Sequence, residues 1–445
     1  MALSGLDIYK LLPKTNCKEC GYATCLAFAM ALAQKKVSLD VCPRVTEQAK
    51  ASLESASQPP MKLVTIGGGE NALQIGNEVV MFRHEQKFYH PTGIGFIMED
   101  TLKPDEANAR LGKINELKFE RVGQVINVDI VALANRSQDK FKFLELVKTA
   151  AQGTKLNIIL ISDSVDALKE AAQLLKDRRP LLMSAGTELD KVTAIAKEND
   201  LPLVVKGKTL EEIAASTEKA KSQGISEMVL LFDEPNLSKR MQLYTLARRS
   251  ALKKNTRPLG YPLIAFTTFD NAEEEMEEAI SYVTRYANIV ILKNIERDSV
   301  LPLLVARQDI YTDPQKPVQV EPKIYEIGKV TKESPVIVTT NFSITYFTVS
   351  GEVESSKVPT YIIACDAEGM SVLTAWAAEK FTAERIAGAL KKSGIEEKVS
   401  HKKVAIPGYV AVLSGKLEEL SGWTVQVGPR EASALPAFLK SWRAA

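Results

Sequence analysis

The sequence predicts an α/β protein in three parts: a small N-terminal cysteine-bearing domain, a central (β/α)8 barrel and a small C-terminal α/β domain. Three observations predict it. Four of the five cysteines fall within the first 42 of 445 residues. Nine short β-rich runs then alternate with amphipathic, Lys/Glu-rich stretches up to about residue 325. A proline-rich polar break, YTDPQKPVQVEPK at 311–323, precedes a renewed alternation to the end of the chain. A chain of this length exceeds one ordinary core, so two to four domains are expected.

The first domain is placed at 1–57, ending in ASLESASQPP (51–60), whose small residues and prolines read as a linker. The barrel is placed at 58–325. Its runs are KLVTIGG (62–68), GIGFIMED (93–100), NVDIVALAN (127–135), LNIILISD (156–163), RPLLMSAG (179–186), PLVVKGK (202–208), EMVLLFDEP (227–235), YPLIAFTTFD (261–270) and IVILKNIE (289–296). Strands of near-continuous apolar content belong where helices cover both faces or ring a barrel, and the intervals are long enough for crossover helices. With KLVTIGG set aside as an entry hairpin or lid, eight runs over about 265 residues suit a (β/α)8 TIM barrel; a doubly wound open sheet is the alternative.

The third domain, 326–445, reads as VIVTTNFSITYFTVSG (336–351), PTYIIACDAEG (359–369), a helix around SVLTAWAAEKFTAERIAGALKKSG (371–394), KKVAIPG (402–408), a helix at LSGKLEELSG (413–422), WTVQVGP (423–429) and a final REASALPAFLKSW (430–442). About 120 residues of this alternation suit a separate domain of the kind that holds a nucleotide or another cofactor.

Composition narrows the function. The chain is 45% hydrophobic and 25% charged, with 57 basic residues against 55 acidic ones, as in ordinary globular proteins. Both signs are interleaved throughout, which argues against a nucleic-acid partner. No window approaches the ~20 apolar residues of a membrane span, and no basic segment leads into an apolar one, so the expected location is the cytoplasm, away from membranes. Only three histidines occur, His84, His90 and His401, too few for histidine-rich metal chemistry or a catalytic triad.

Cys17, Cys20, Cys25 and Cys42 form the pattern C-x2-C-x4-C-x16-C-P. Three thiolates within nine residues suit one inorganic cube, because the loop KECGYAT contains glycine and the fourth ligand returns from beyond a helix. Such a cluster needs soft anionic sulfur and little else. Cys25 opens the apolar stretch CLAFAMALAQKK, whose first amides are expected to face the anionic cluster. Structural zinc is an alternative, though zinc sites more often pair C-x2-C with a second such pair or with histidines, and disulfides are another. A fully ligated [4Fe–4S] cluster has no open Lewis-acid position, so electron transfer is its expected task. Cys365, within YIIAC, reads as a small buried hydrophobe.

Five segments carry a resemblance: GLDIYKLLPKTNCKECGYATCLAFAMALAQKKVSLDVCP, FRHEQKFYHPTGIGF, VTTNFSITYFTVSGEVES, GMSVLTAWAAEKF and VGPREAS. Together they resemble the large (gamma) subunit family of the corrinoid iron–sulfur protein of the Wood–Ljungdahl acetyl-CoA pathway. The resemblance covers essentially the whole chain. It implies a [4Fe–4S] domain, a barrel and a cobamide-binding C-terminal domain. It also implies a heterodimer with a small subunit that is itself a barrel. The implied task is methyl carriage, as a methyltransferase component rather than a self-sufficient enzyme: a separate methyltransferase supplies methyl from methyltetrahydrofolate, and acetyl-CoA synthase/CO dehydrogenase receives it. A reductive activator is implied as well.

No D-x-H-x-x-G motif is present, so the resemblance implies a base-off corrinoid without a histidine ligand, and cobalt(II) easier to reduce to cobalt(I) for that reason. The cube's implied role is to rescue cofactor stranded by oxidation. Three groups of residues are expected to hold the corrinoid. Thr339, Thr340, Asn341, Phe342 and Ser343 end the first β-run and are expected to hydrogen-bond the amide arms. Gly369, Met370, Ser371, Leu373 and Thr374 lie between strand and helix, with Thr374 beneath cobalt. Gly408 follows a strand, and Gly428, Pro429, Arg430, Glu431 and Ala432 open the last helix, for the phosphate of the nucleotide tail. Ordinary turn and cap chemistry is the plain alternative for any one of them.

Two rival functions remain at this point. One is an iron–sulfur electron carrier that reduces another protein's corrinoid. The other is a barrel methyltransferase acting on a pterin, suggested by the strand-end acids Glu99, Asp100, Asp163, Asp233, Glu234 and Asp270. The glycine-rich GGGE (67–70) and TGIGF (92–96) lack a Walker lysine and the full dinucleotide pattern.

Overall fold

The structure is a computed structural model that describes residues 5–33, 37, 41–46, 59–184 and 189–443. The linker expected at 51–60 lies almost wholly outside the described residues, as does the end of RPLLMSAG. The chain divides into two compact units, one comprising the described residues up to Met81 with Tyr89–Glu116 and Val128–Leu303, the other Phe82–Phe88, Leu117–Asn127 and the chain from Leu304 onward.

In the first unit, two short helices, Gly5–Leu11 and Cys25–Ala33, enclose a small apolar cluster of Ile8, Leu12, Cys25, Phe28 and Ala29. Strands β1 (Leu63–Ile66) and β2 (Leu73–Gly76) then form an antiparallel hairpin, the entry hairpin expected of KLVTIGG. β3 (Gly93–Glu99) begins the barrel. After the helix Pro104–Asn115 come β4 (Lys118–Arg121) and β5 (Gln124–Asn127), an antiparallel hairpin that the sequence reading passed over and that belongs to the second unit.

The remaining barrel strands are β6 (Ile130–Ala134), β7 (Asn157–Ile161), β8 (Leu181–Met183), β9 (Leu203–Gly207), β10 (Met228–Phe232), β11 (Ile264–Phe266) and β12 (Ile289–Leu292). They order as β10-β9-β8-β7-β6-β3-β12-β11, all parallel, and a parallel bridge between Leu230 and Leu263 nearly closes the ring. Every residue of β6, β7 and β12 is buried, which is why those runs lack a polar alternation. Ile130, Ile159, Leu181, Val204, Val229 and Ile289 share one core with Val64, Ile66 and Ile75, so the β1–β2 hairpin plugs the barrel. The plug sits at the N-terminal strand ends, where Gly67 N donates to Arg179 O at 2.9 Å and Asn157 Nδ2 to Asn71 O at 3.1 Å. Asp139, Ser164, Thr209, Asn236 and Asn271 each cap a barrel helix through their side chains, as their residue types favour.

The second unit contains a five-stranded sheet of order β13-β15-β14-β16-β17, with β13 (Ile324–Ile327) antiparallel to β15 (Thr360–Cys365), and β14 (Val336–Thr340), β16 (Lys403–Ile406) and β17 (Thr424–Val427) parallel to it. Side chains alternate between two cores. Val336, Val338, Ile363 and Val404 pack with Ile386, Leu390 and Leu417 of helices Ala383–Ser393 and Ser414–Ser421. Ile337, Ile362 and Ala405 pack with Tyr346, Val353 and Leu439 of helices Ser343–Ser356 and Leu435–Lys440. This is a doubly wound sheet whose strand order reverses between β14 and β16.

The first β-run ends at Thr340, within the stretch Thr339–Ser343 expected to end it, and a helix follows from Ser343, because packing of Tyr346 and Val353 overrides the β preference of SITYFTV. Two expectations for this region are corrected. The helix expected over 371–394 is two, Val372–Ala377 and Ala383–Ser393, with Thr382 capping the second. The break at 311–323 is hydrogen-bonded to the end of β14 and the start of the helix after it. Val320 N donates to Asn341 O at 2.9 Å and Ser343 N to Val318 O at 3.0 Å, while the unit boundary falls earlier, inside the helix Arg297–Tyr311. Finally, Gly428–Ala432 do not open the last helix: Gly428–Glu431 form a loop, Ala432 begins a 3-10 turn, and the helix starts at Leu435.

Candidate functional site

All four N-terminal cysteines are free thiols; Cys25 is buried and Cys17, Cys20 and Cys42 are half-buried. Cys20 and Cys42 pack on the same apolar cluster as Cys25, beside Tyr22 and Phe28, whose rings meet edge-on at 5.6 Å. The loop between the helices alternates in hand: Lys14, Asn16 and Lys18 have φ of 57°, 49° and 66°, with Gly21 at 83°. Alternation of this kind is how backbone amides are gathered into anion-binding concavities. An exposed Glu19–Arg44 pair, 3.0 Å from Nε to Oε2, straps the loop to the segment that carries Cys42.

One expectation for the loop fails. Two of the first amides of helix Cys25–Ala33 are already taken: Cys25 N donates to Asn16 Oδ1 at 2.8 Å and Ala27 N to Thr24 Oγ1 at 3.1 Å. They satisfy the helix start rather than pointing outward. Among the described residues no group of three His, Cys, Asp or Glu side chains is arranged to hold a single metal ion. A four-iron cube takes one thiolate at each of four corners, a wider spacing than one ion requires.

In the second unit, a cleft opens where the strand order reverses. Thr339 at the end of β14, Pro407 after β16 and Gly428, Pro429 and Arg430 after β17 line it. Thr345, Val349 and Phe438 form its helical wall. Its lining is mostly apolar, yet it includes Thr339, whose hydroxyl is buried without a hydrogen-bond partner; the Thr340 hydroxyl is likewise buried and unpartnered but does not line the cleft. Large apolar side chains remain exposed on the lining segments: Ile344, Phe347, Leu373, Trp376, Tyr409 and Val412.

Of the expected residues, Thr339, Gly428, Pro429, Arg430 and Ala432 meet in this cleft. Gly408 stands behind it, packed against the backbone of Gly428 and Arg430. Glu431 accepts a hydrogen bond from the Tyr409 hydroxyl, joining the loops after β16 and β17. Asn341 is fully buried and spends its side chain on the protein itself, accepting from the amides of Ala367 and Gly369. Phe342 N-caps the helix that Ser343 begins. Beyond Gly369, Met370 packs into the core, Ser371 and Thr374 hydroxyls lie 3.0 Å apart, and Val372 reaches the cleft between Ser371 and Leu373. Thr345, Val349, Tyr409 and Phe438 were not singled out by the sequence; the first two sit on the helix Ser343–Ser356, which residue preferences do not announce.

His401 lies at the other end of the sheet. Its Nε2 is 3.0 Å from Ser334 O and its Nδ1 accepts from Lys403 N at 3.2 Å, so both ring nitrogens are engaged. Cys365 is buried, and burial pushes its thiol pKa up to about 12, as befits a core residue.

The barrel's strand-end acids serve largely as loop ties. Asp100 accepts from Arg136 N and Ser137 N, both at 2.8 Å; Glu99 pairs with Arg136, Glu234 accepts from Asn236 N, and Asp270 pairs with Lys293. Asp163 and Asp233 act on the half-buried Lys206, whose pKa burial lowers and these carboxylates partly restore. Two acids were missed altogether. Glu275 and Glu278, in the charged run AEEEMEE, are fully buried and hold the turns after β11 and β12.

Residues 63–439 match the family model described as CO dehydrogenase/acetyl-CoA synthase delta subunit, and residues 12–44 match a model of an Fe-S cluster segment. The corrinoid/iron-sulfur protein large subunit of Moorella thermoacetica is 47% identical over 442 residues, spanning 99% of both chains. The chain belongs to this family. Two further relatives, the acetyl-CoA decarbonylase/synthase complex gamma subunits of Methanothermobacter thermautotrophicus and Methanocaldococcus jannaschii, are 36% and 33% identical, each over 99% of this chain and over 99% and 96% of their own. The family's delta-subunit model begins beyond the cysteine segment, which the Fe-S model covers separately. Among solved structures, a dihydropteroate synthase from Thermus thermophilus aligns with a TM-score of 0.40 and 15% identity, over 55% of this chain and 98% of that one. Among the described residues no helix is long and apolar enough to cross a membrane.

Proposed function

We propose that this chain is the large subunit of a corrinoid methyl carrier of the acetyl-CoA pathway, with its [4Fe–4S] cluster on Cys17, Cys20, Cys25 and Cys42 and its corrinoid in the cleft of the second unit. The observation that carries the second assignment is an apolar cleft at a strand-order reversal, lined by Thr339, whose buried hydroxyl lacks a partner. Open α/β sheets bind ligands at such points. A large flat macrocycle with polar side arms fits apolar walls that contain a few unpaired polar groups.

When bound, the corrinoid supplies the cobalt that accepts and gives up methyl, and the iron–sulfur cluster supplies single electrons. The chain's own residues do the rest. Thr339 presents its hydroxyl to a polar arm, Gly408 and Gly428 let backbone come close, and Phe347, Trp376 and Tyr409 keep water from the apolar face. Asn341 shapes the turn that leads to Ser371 and Thr374. With His401 engaged at the opposite sheet end, no histidine of this unit's sheet domain stands at the cleft. The subunit name implies a small-subunit partner. A methyltetrahydrofolate-dependent methyltransferase as donor, acetyl-CoA synthase/CO dehydrogenase as acceptor and a reductive activator complete the proposal. The barrel-methyltransferase reading loses ground because Glu99, Asp100, Glu234 and Asp270 hold loops.

Anaerobic purification and reconstitution, followed by iron and cobalt analysis and a visible spectrum, test this directly. The expected result is cobalt and iron in the ratio of one corrinoid to one four-iron cube, with the cube lost in Cys42→Ala. Full iron loading without cobalt after reconstitution would leave only an electron carrier.

A further inference from the structure

We propose that Asn16 is a positioning residue that sets the reduction potential of the iron–sulfur cluster through a reciprocal contact with Cys25. Asn16 N donates to Cys25 Sγ at 3.4 Å, and Cys25 N donates back to Asn16 Oδ1 at 2.8 Å. The pair closes a loop that includes Cys17 and Cys20, and it is partly buried. Among the described residues no other backbone amide donates to the four N-terminal cysteine sulfurs.

The physical consequence has a sign. Reduction adds one electron to the cluster, and its charge spreads onto the ligand sulfurs. An N–H directed at Cys25 Sγ stabilises the more negative state, which raises the potential; hydrogen bonds to sulfur are among the levers that set it. The side-chain oxygen makes the contact stiff. By holding Cys25 N, it fixes the distance between Asn16 N and Cys25 Sγ, so the loop cannot drift away when charge changes. Asn16 also suits its backbone, because φ of 49° lies in the left-handed region that asparagine tolerates and most residues do not.

Two substitutions separate these roles. Asn16→Asp keeps an acceptor for Cys25 N but sets a negative charge beside the sulfur. Asn16→Gly keeps the backbone conformation and its N–H but removes the tether. The inference rests on Cys25 being a cluster ligand, so Cys25→Ala is the control.

The experiment is a paramagnetic-resonance-monitored redox titration of the full chain with titanium(III) citrate, alongside iron analysis of each variant. Asn16→Asp is expected to retain the cube and to disfavour reduction at least tenfold, ~59 mV more negative for a one-electron couple. Asn16→Gly is expected to shift the same way by less, with altered g-values in the reduced state. Cubes in both variants that titrate at the wild-type potential would overturn the role of Asn16 while leaving the cluster assignment intact. A wild-type chain without a cube, or Cys25→Ala with an unchanged one, would overturn the ligand assignment and this inference with it.

Discussion

The amide of Gly369 donates to the side-chain oxygen of Asn341 at 3.2 Å, and the same oxygen accepts from Ala367 N at 2.9 Å. Asn341 Nδ2 in turn donates to Gln319 Oε1 at 3.0 Å. One fully buried side chain thus joins the end of β14, the turn after β15 and the segment before β13. Asn341→Ala strands two buried donors, which should cost about 2–4 kcal/mol. Denaturant unfolding and corrinoid retention after gel filtration should fall together; unchanged retention would confine Asn341 to stability.

Gly408 is a second tight point. A methyl group there would meet Gly428 O at 2.5 Å and Arg430 N at 2.9 Å, both backbone atoms that yield only if the loops part. Gly408→Ala should destabilise the second unit by about 1–3 kcal/mol and lower cobalt per chain. Gly415, in helix Ser414–Ser421, has open space around its Cβ direction and supplies the control. Gly415→Ala should be neutral or stabilising by up to about 1 kcal/mol.

Thr339 offers a prediction with opposite signs in the two states. Its hydroxyl is buried and unpartnered, a cost that the isosteric Thr339→Val removes. The cofactor-free chain should gain about 1 kcal/mol, whereas corrinoid affinity should fall about tenfold. A more stable chain that binds corrinoid as tightly as before would remove Thr339 from the site.

Cys365 should be chemically silent. Its thiol pKa is raised from 9.0 to about 12, chiefly by burial and further by Asp366. The folded chain therefore keeps this proton where the unfolded chain has lost it. Stability from this group is full below pH 9, and it declines as pH rises toward 12. Thiol labelling of native protein at pH 8 should spare Cys365 until the chain unfolds, and Cys365→Ala should flatten the alkaline loss of stability. Rapid labelling of Cys365 in the native state would contradict its burial.

Much of this was readable locally. The pattern of Cys17, Cys20, Cys25 and Cys42 is a matter of covalent spacing and residue chemistry, and it needs no fold to be noticed. IVALA and NIILI announce strands buried on both faces, and Asp139, Ser164 and Thr209 announce helix starts, since a cap works within three residues of its own position. The helix Ser343–Ser356 was not readable, because its β-branched and aromatic residues prefer strands until Tyr346 and Val353 find a sheet to pack on. Nor were Glu275 and Glu278, whose charged neighbours suggest a solvated face until the turns after β11 and β12 supply their donors.

The cleft is likewise a product of tertiary structure alone. Thr339, Pro407 and Pro429 meet because strand order reverses between β14 and β16, which brings three strand ends to one place. Residue types and short-range spacing were enough to announce the cysteine segment, the barrel's repeating units and a separate α/β alternation at the end of the chain. Which atoms face one another across that domain was decided by long-range packing, since contacts between distant residues depend on how sheets and helices close over a shared core rather than on any local preference.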